Sequence, residues 1–525
     1  MKHRKVIAAL LAALCLTPLA SSGQSADWEQ LNTQVQQLYA AGRYDEAVTV
    51  GEAALRIAER QFGPDAPPVA TSLNNLATAL MDGGHYDRAA ALLQRAVSIT
   101  EKTLGPDALP VAQTRSNLAE LYRTLGRHAE AEAQYKQVID SLERHLGNNH
   151  PVVAIPLNNL ALSLAQQGKF AQAEPLYRRA LAINEKQLGR EHPDLGPTLE
   201  NLGKLYLEAG RLAEAEPVLR RALAIREKAL EPTHPAVGES LNSLALLYAQ
   251  QQRHADAEPL FARAEQNRAQ ALGPDHPALA QTLNDRALTL RELGRSTEAS
   301  ALLTRALAIY EKALGPDHPM VAVNLNNLAV IHTDDNAFAK AVPLLERALQ
   351  INEKTYGPDH PATAANLNNL AGVYRRLGWL DKAEPLYLRA LAIIEKVHGP
   401  DHPRAGATLG NLSLLYADRR DPVKAEQFSR RALAVTEKLE GAESPAVAVV
   451  LDNLAGFLVE QRRLDEAAGQ LERAIAILDK AGNDRPHPDV AQMLDRLATL
   501  YREMSRGSQA DETARRAAAI RSRAP

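Results

Sequence analysis

The apolar positions of this chain fall on a helical period that glycine and proline interrupt at regular intervals. In residues 357–398, Leu367, Leu370, Ala371 and Tyr374 share one face at a 3.6-residue spacing, which predicts a first helix opening at His360-Pro361. Gly378 ends that helix, because glycine takes the left-handed conformation of a helix C-terminus without a Cβ clash. A second helix runs from Leu380 with Ala383, Leu386, Tyr387, Ala390, Leu391 and Ile394 facing inward, and Gly399-Pro400 stops it. Pro385, with Pro175, Pro217, Pro259 and Pro343, is expected in the first turn of the second helix, where N–H groups lack intrahelical partners.

This pattern recurs. Gly63, Gly105, Gly147, Gly189, Glu231, Gly273, Gly315, Gly357, Gly399 and Gly441 stand 42 residues apart, and Gly-Pro-Asp-His-Pro occurs in full at 273, 315, 357 and 399. Asn483 continues the series, after which one residue is inserted before His487-Pro488. Ala89, Ala131, Ala173, Ala215, Ala257, Ala299, Ala341, Ala383, Ala425 and Ala467 hold one register of the second helix without exception, as close helix packing requires. A repeat of this length is one supersecondary unit that buries its apolar face only by stacking on copies of itself. The prediction is an all-α solenoid of about twelve helix-turn-helix units over residues 27–525. They start near 27, 63, 105, 147, 189, 231, 273, 315, 357, 399, 441 and 483, and leave no stretch of these residues for another domain. Arg515, Arg516, Arg521 and Arg523 make the last helix polar, as a terminal cap should be.

The spacing Leu-Ala-x-x-Tyr, a glycine, and then two alanines resembles the tetratricopeptide repeat. The 42-residue period and the phrase Leu-Asn-Asn-Leu-Ala resemble its kinesin light chain variety, common in bacterial proteins, across the whole of residues 27–525. The resemblance implies a right-handed superhelix with a concave groove that binds a protein or peptide. It also implies that the first-helix asparagines line that groove and hold a ligand's backbone. Here these are Asn75, Asn117, Asn159, Asn201, Asn327, Asn369, Asn411 and Asn453, with Ser243 and Asp285 in the same register. An amide offers a donor and an acceptor, so a row of them suits an extended peptide whatever its side chains. The same residues could instead bond the neighbouring helix and set the spacing between units. Asn74, Asn158, Asn242, Asn284, Asn326 and Asn368 hold the preceding register.

Other residues refine this reading. Arg375 and Arg376 are candidates for contact with acidic groups on a ligand, and Trp379 for an exposed anchor or a lid on the next hairpin. Glu265 and Arg286 replace leucines of their registers, and an ion pair between them would mark a weak seam between residues 27–272 and 273–525. Histidines 150, 192, 234, 276, 318, 360 and 402 all precede proline. Equivalent residues of stacked hairpins lie about 10 Å apart, too far to share one metal, so these are assigned to helix-start turns. The Glu-Lys pairs ending the second helices, such as Glu185-Lys186 and Glu353-Lys354, read as solvated surface.

Composition narrows the function classes. The formal charge of -3 gives no basic field for nucleic acid. Lys2, His3, Arg4 and Lys5 followed by the apolar run Val6 to Leu16 predict a cleavable signal over residues 1–26, too short to span a bilayer stably. Cys15, the single cysteine, lies inside it; Leu14 before it argues against lipid attachment, the alternative. The expected location is periplasmic or secreted. No phosphate loop, cysteine nucleophile or zinc spacing is present, so neither catalysis, cofactor nor metal is expected. The leading reading is a non-enzymatic protein- or peptide-binding scaffold. The alternative is a structural or accessory subunit of an envelope or secreted complex, acting through its convex face or ends.

Overall fold

The computed structural model describes residues 25–482 and 488–522. Most of the predicted signal, including Cys15, lies outside these residues, as do Asn483, His487 and Arg523. The described residues form 24 α-helices and no strand, an all-α solenoid of paired helices. The chain divides into two compact units, one ending at Asn267 and one beginning at Arg268. Glu265 belongs to the first and Arg286 to the second. Within the second unit Arg295, with a smaller contribution from Arg286, lowers the pKa of Glu298.

In the first unit the hairpins run from Ser25–Ala40 with Tyr44–Phe62 onward, and a typical pair is Pro151–Gln166 with Phe170–Leu188. Ala89, Ala131, Ala173, Ala215 and Ala257 are fully buried there, and the aromatic rings of Tyr135, Tyr177 and Phe261 fill the space beside them. Gly203 shows how closely helices approach. A Cβ at that position would lie 2.3 Å from Cδ2 of Leu219, so no larger residue fits without moving that leucine. The second unit repeats the plan. Pro361–Arg376 pairs with Leu380–His398, and Ala299, Ala341, Ala383, Ala425 and Ala467 are again fully buried.

The turn between the two helices is left-handed. Gly378 has φ +76°, and where glycine is replaced the residue still takes this strained region, as Asn336 does at φ 57°. Helix 380–398 begins directly after this turn, with Trp379 as its N-cap. Pro385 therefore lies in the second turn, not the first, and the same correction applies to Pro175, Pro217, Pro259 and Pro343. Each proline removes one intrahelical N–H bond, and tertiary packing sustains the helix across the gap.

The histidine–proline turns have a definite task. Nδ1 of His150, His192, His234, His276, His318, His360 and His402 accepts the backbone N–H two residues on, at 3.1–3.4 Å. Each ring is thus an N-cap for a helix whose first residue is proline. Two of the rings stack on the last residue of the hairpin before, His360 on Tyr356 and His402 on His398, both with centroids 4.4 Å apart.

The Glu-Lys pairs are not merely solvated. In the first unit Glu59, Glu143, Glu185 and Glu227 each take an arginine of the next hairpin (Arg95, Arg179, Arg221, Arg263) at 2.5–2.6 Å. In the second unit Glu311, Glu353, Glu395 and Glu437 do the same with Arg347, Arg389, Arg431 and Arg473 at 2.6–2.7 Å. In the second unit the lysines that follow these glutamates close each hairpin on the aspartate of its own leading turn, as Lys354 does on Asp317 and Lys396 on Asp359. Pairs this exposed contribute little singly, and they stitch successive second helices at arm's length. Consecutive first helices, by contrast, touch directly from Ser25–Ala40 to Pro235–Gln250 in the first unit and from Pro277–Glu292 to Pro403–Asp418 in the second. The first-helix side is therefore the tight, inner side of each stack.

Candidate functional site

The asparagines lie on this inner side, half-buried, in the middle of the first helices. Their amides are connected. In the first unit Nδ2 of Asn75 donates to Oδ1 of Asn32 at 3.1 Å, Asn117 to Asn74 at 2.9 Å and Asn201 to Asn158 at 3.2 Å. In the second unit Asn327 donates to Asn284 at 2.9 Å, Asn369 to Asn326 at 2.8 Å and Asn411 to Asn368 at 3.1 Å. The two asparagine registers thus form rungs, each joining a first helix to the one before it. In all six, Oδ1 of the donating residue has no hydrogen-bond donor among the described residues. One N–H of each of these amides therefore bonds the neighbouring first helix.

Asn159 and Asn453 lack a rung, because the residues 43 positions earlier are Ser116 and Gly410. Asn159 accepts from its neighbour Asn158 at 3.2 Å, whereas the Asn453 amide makes no hydrogen bond with the described residues. Substituted rungs also occur. Ser243 donates to Glu200 at 2.5 Å, and Arg496 grips both oxygens of Asp452 at 2.6 and 2.7 Å. Sequence reading missed Arg496 as a ladder member. The residue inserted after Asn483 shifts the register by one, and carrying that shift forward would have found it.

Glu200 anchors a buried charged cluster. Its side chain is 1% exposed and lies 3.2 Å from Nη1 of Arg226, itself 6% exposed. Ser240 donates to the same carboxylate at 2.7 Å, and Lys204 stands 3.5 Å away. At the equivalent positions of the second unit Asn352 donates to Asn366, and Asn366 to Asn326, so a neutral amide chain does the same work.

The predicted specificity residues are already engaged. Arg375 pairs with Asp418 at 2.8 Å, as Arg291 pairs with Asp334 at 2.5 Å in the same register. Arg376 donates to Asn336 at 3.1 Å and lies over the Phe338 ring. Trp379 is 45% exposed and packs against Tyr374 and under Lys382, both of its own hairpin. In the first unit Glu174 collects Arg211, Tyr206 and Arg178, with Arg211 foremost, and together they hold its carboxyl down at about 2.

Among the described residues no group of three or more histidine, cysteine, aspartate or glutamate side chains could hold a metal ion. None of the described helices is long and apolar enough to cross a membrane.

Comparison with known proteins gives the family. The Tetratricopeptide repeat profile matches nine overlapping segments covering residues 31–144 and 152–480, and a second profile of the same description matches 116–187. Among solved structures, the Podosopora anserina protein named for nearly identical kinesin light chain TPR-like repeats is 28% identical, over 40% of this chain and 99% of its own, with TM-score 0.36. A point-substituted form of that protein is also 28% identical, over 39% of this chain and 97% of its own, with TM-score 0.36. BtubC (BKLC) from P. vanneervenii is 23% identical over 45% of this chain and 94% of its own, with TM-score 0.39. The search of curated proteins found no match. With the repeat profile matched over most of its length, the chain belongs to the tetratricopeptide repeat family.

Proposed function

We propose that this chain is a non-enzymatic scaffold that holds an extended peptide segment of another protein along the inner, first-helix face of its units. Tetratricopeptide repeat proteins generally act as protein-binding scaffolds. The observation that carries the reading is the periodic row of half-buried asparagines, whose Oδ1 atoms stay without a donor among the described residues at Asn75, Asn117, Asn201, Asn327, Asn369 and Asn411. Acceptors repeated at each hairpin suit the N–H groups of an extended main chain, and such contacts tolerate varied side chains. The basic and apolar segment at residues 2–16 supports an exported scaffold, periplasmic or secreted.

Val323 and Val449, 47% and 55% exposed, precede Asn327 and Asn453 by one helical turn and share their face. Peptides selected on the full chain from a random phage-displayed library provide the probe. The double substitution Val323→Arg, Val449→Arg is expected to abolish their binding and leave the melting temperature unchanged. Unaltered binding would count against use of this face. A second reading, lateral assembly through the second helices, draws on one feature of the first unit. A cleft of about 540 Å³ lined by Leu181, Leu202, Tyr206 and Pro217 opens between successive second helices. Ala182→Arg, at an exposed position lining that cleft, would be the damaging substitution on that reading.

A further inference from the structure

Two hairpins carry the same tyrosine and arginine, and one of them supplies an acid to hold both. Tyr135 and Tyr387 share one register of the second helix, and Arg123 and Arg375 share one register near the end of the first. No other repeat has tyrosine and arginine together at these two positions. In the first unit the carboxylate of Glu120 joins the pair. It accepts the Tyr135 O–H at 2.9 Å, Nε of Arg123 at 3.1 Å and Nη2 of Arg123 at 2.6 Å. The remaining nitrogen, Nη1, donates to Gln166, 43 residues on, at 3.3 Å.

The second unit keeps every part except the carboxylate. Nη1 of Arg375 again donates to the residue 43 positions on, here Asp418, at 2.8 Å. Gly372 stands at the position of Glu120. Nε of Arg375 is buried and has no hydrogen-bond partner among the described residues. Burial raises the pKa of Tyr387, and the neighbouring Arg375 pulls it back. A Cβ at residue 372 would meet the Tyr387 hydroxyl at 3.4 Å, and no other side chain approaches it within 4 Å. Glycine is unfavourable in mid-helix, and close packing does not demand it here. It leaves a half-buried opening on the inner face, one turn beyond Asn369 and over the hydroxyl. A buried guanidinium N–H without an acceptor is costly. In the equivalent hairpin a carboxylate removes that cost with charge-assisted hydrogen bonds.

We propose that Gly372, Arg375 and Tyr387 form an acid-accepting subsite of the second unit. It takes the side-chain carboxylate of an aspartate or glutamate in the bound segment, where Glu120 places its own in the first unit. The carboxylate enters over Gly372, accepts the Tyr387 O–H and draws Nε of Arg375 into a charge-assisted hydrogen bond. This rests on the inner-face peptide reading above and adds a requirement to it, one acidic side chain at a fixed place in the ligand. The equivalent hairpin of the first unit makes no such demand, because Glu120 fills the position with the chain's own acid.

The decisive variant gives the second unit that internal acid. The probe is a fluorescein-labelled peptide from the library selection whose binding the Val323→Arg, Val449→Arg variant loses. It is made with an amidated C-terminus, so that its carboxylates are side chains. Its Kd is measured on the full chain by fluorescence polarisation, alongside thermal unfolding of each variant. Changing one acidic residue of the peptide to its amide is expected to weaken binding at least about tenfold, as loss of a charge-assisted hydrogen bond implies. Gly372→Glu should weaken the acidic peptide as much and raise the melting temperature, while Gly372→Ala, which adds one methyl group, binds within twofold of wild type. Tyr387→Phe should weaken the acidic peptide and leave the amide form of it within twofold. If no acidic residue of the peptide matters, or if Gly372→Glu binds the acidic peptide within twofold of wild type, the subsite is wrong and the inner-face reading stands. If no selected peptide depends on Val323 and Val449, the inner-face reading fails and the subsite fails with it.

Discussion

Replacing single ladder asparagines by alanine in the second unit should give effects that differ in sign, because the three residues have different partners. Asn327 donates to Asn284, whose side chain is only 6% exposed. Removing the donor leaves a buried acceptor unsatisfied, which costs about 1–3 kcal/mol. Alanine returns about 0.6 kcal/mol through its better helix propensity, so Asn327→Ala should destabilise by about 0.4–2.4 kcal/mol. Asn411 donates to Asn368, which is half-buried and within reach of water. Only the net bond of about 1 kcal/mol is lost there, and Asn411→Ala should cost about 0.4 kcal/mol. Asn453 has no bond to lose, so Asn453→Ala should stabilise by about 0.6 kcal/mol, the propensity gain alone.

A stack of repeats does not unfold as one two-state body, so a single denaturation midpoint blurs these differences. Native-state amide exchange of helices Pro319–Asp334, Pro403–Asp418 and Pro445–Glu460 resolves them, since it reports the opening free energy of each region. Protection should fall clearly around the first, fall slightly around the second and rise around the third. Three effects of the same sign, or Asn453→Ala as the most damaging of the set, would refute the rung assignment.

Acid should loosen the array in two windows. The carboxyl of Glu174, held at about 2 against an ordinary 4.5, favours the fold fully above pH 4.5 and progressively less as pH falls towards 2. Thermal midpoints of Glu174→Gln should therefore be lower than wild type at neutral pH and converge with it in that range. His402, whose pKa burial lowers below 6.5 with help from His398 and Arg404, caps its helix as a neutral ring. Its contribution is complete above pH 6.5 and fades as pH drops below that value, so the protection of the Arg404 N–H, relative to its intrinsic exchange rate at each pH, should fall there. In the first unit, Arg226→Met should cost about 3 kcal/mol by leaving Glu200 buried without its closest cation. Glu200→Asn with Arg226→Asn, the neutral pattern of Asn326 and Asn352, should recover most of that loss in chemical denaturation.

The period was the legible part of this protein. Glycine and alanine at invariant registers are forced by left-handed turns and by helices in contact, so Gly378 and Ala383 could be placed from the sequence alone. Helix starts were less readable, because the helix after Gly378 begins immediately at Leu380 and leaves Pro385 a turn deeper than its chemistry suggests. Side-chain pairing across repeats was the least readable. That Lys354 reaches back to Asp317, or Arg347 to Glu311, depends on how one hairpin lies on itself and on the next. The registers carrying these residues were visible, but their partners were not.

The asparagine ladder shows why the distinction matters for function. Read along the sequence, Asn327, Asn369, Asn411 and Asn453 are equivalent, and a repeat argument must treat them alike. In the folded unit their equivalence is broken by what stands 43 residues earlier, and three of the four have committed one N–H to holding the helices together. The N–H that stitches the array is closed to a ligand, while the amide keeps its second N–H and its Oδ1. Stability and recognition therefore compete for one set of atoms, and the competition is decided residue by residue through the preceding repeat. A departure from the consensus, such as Gly410, weakens the stack locally and is also the place where the ladder amide keeps both N–H bonds and its Oδ1.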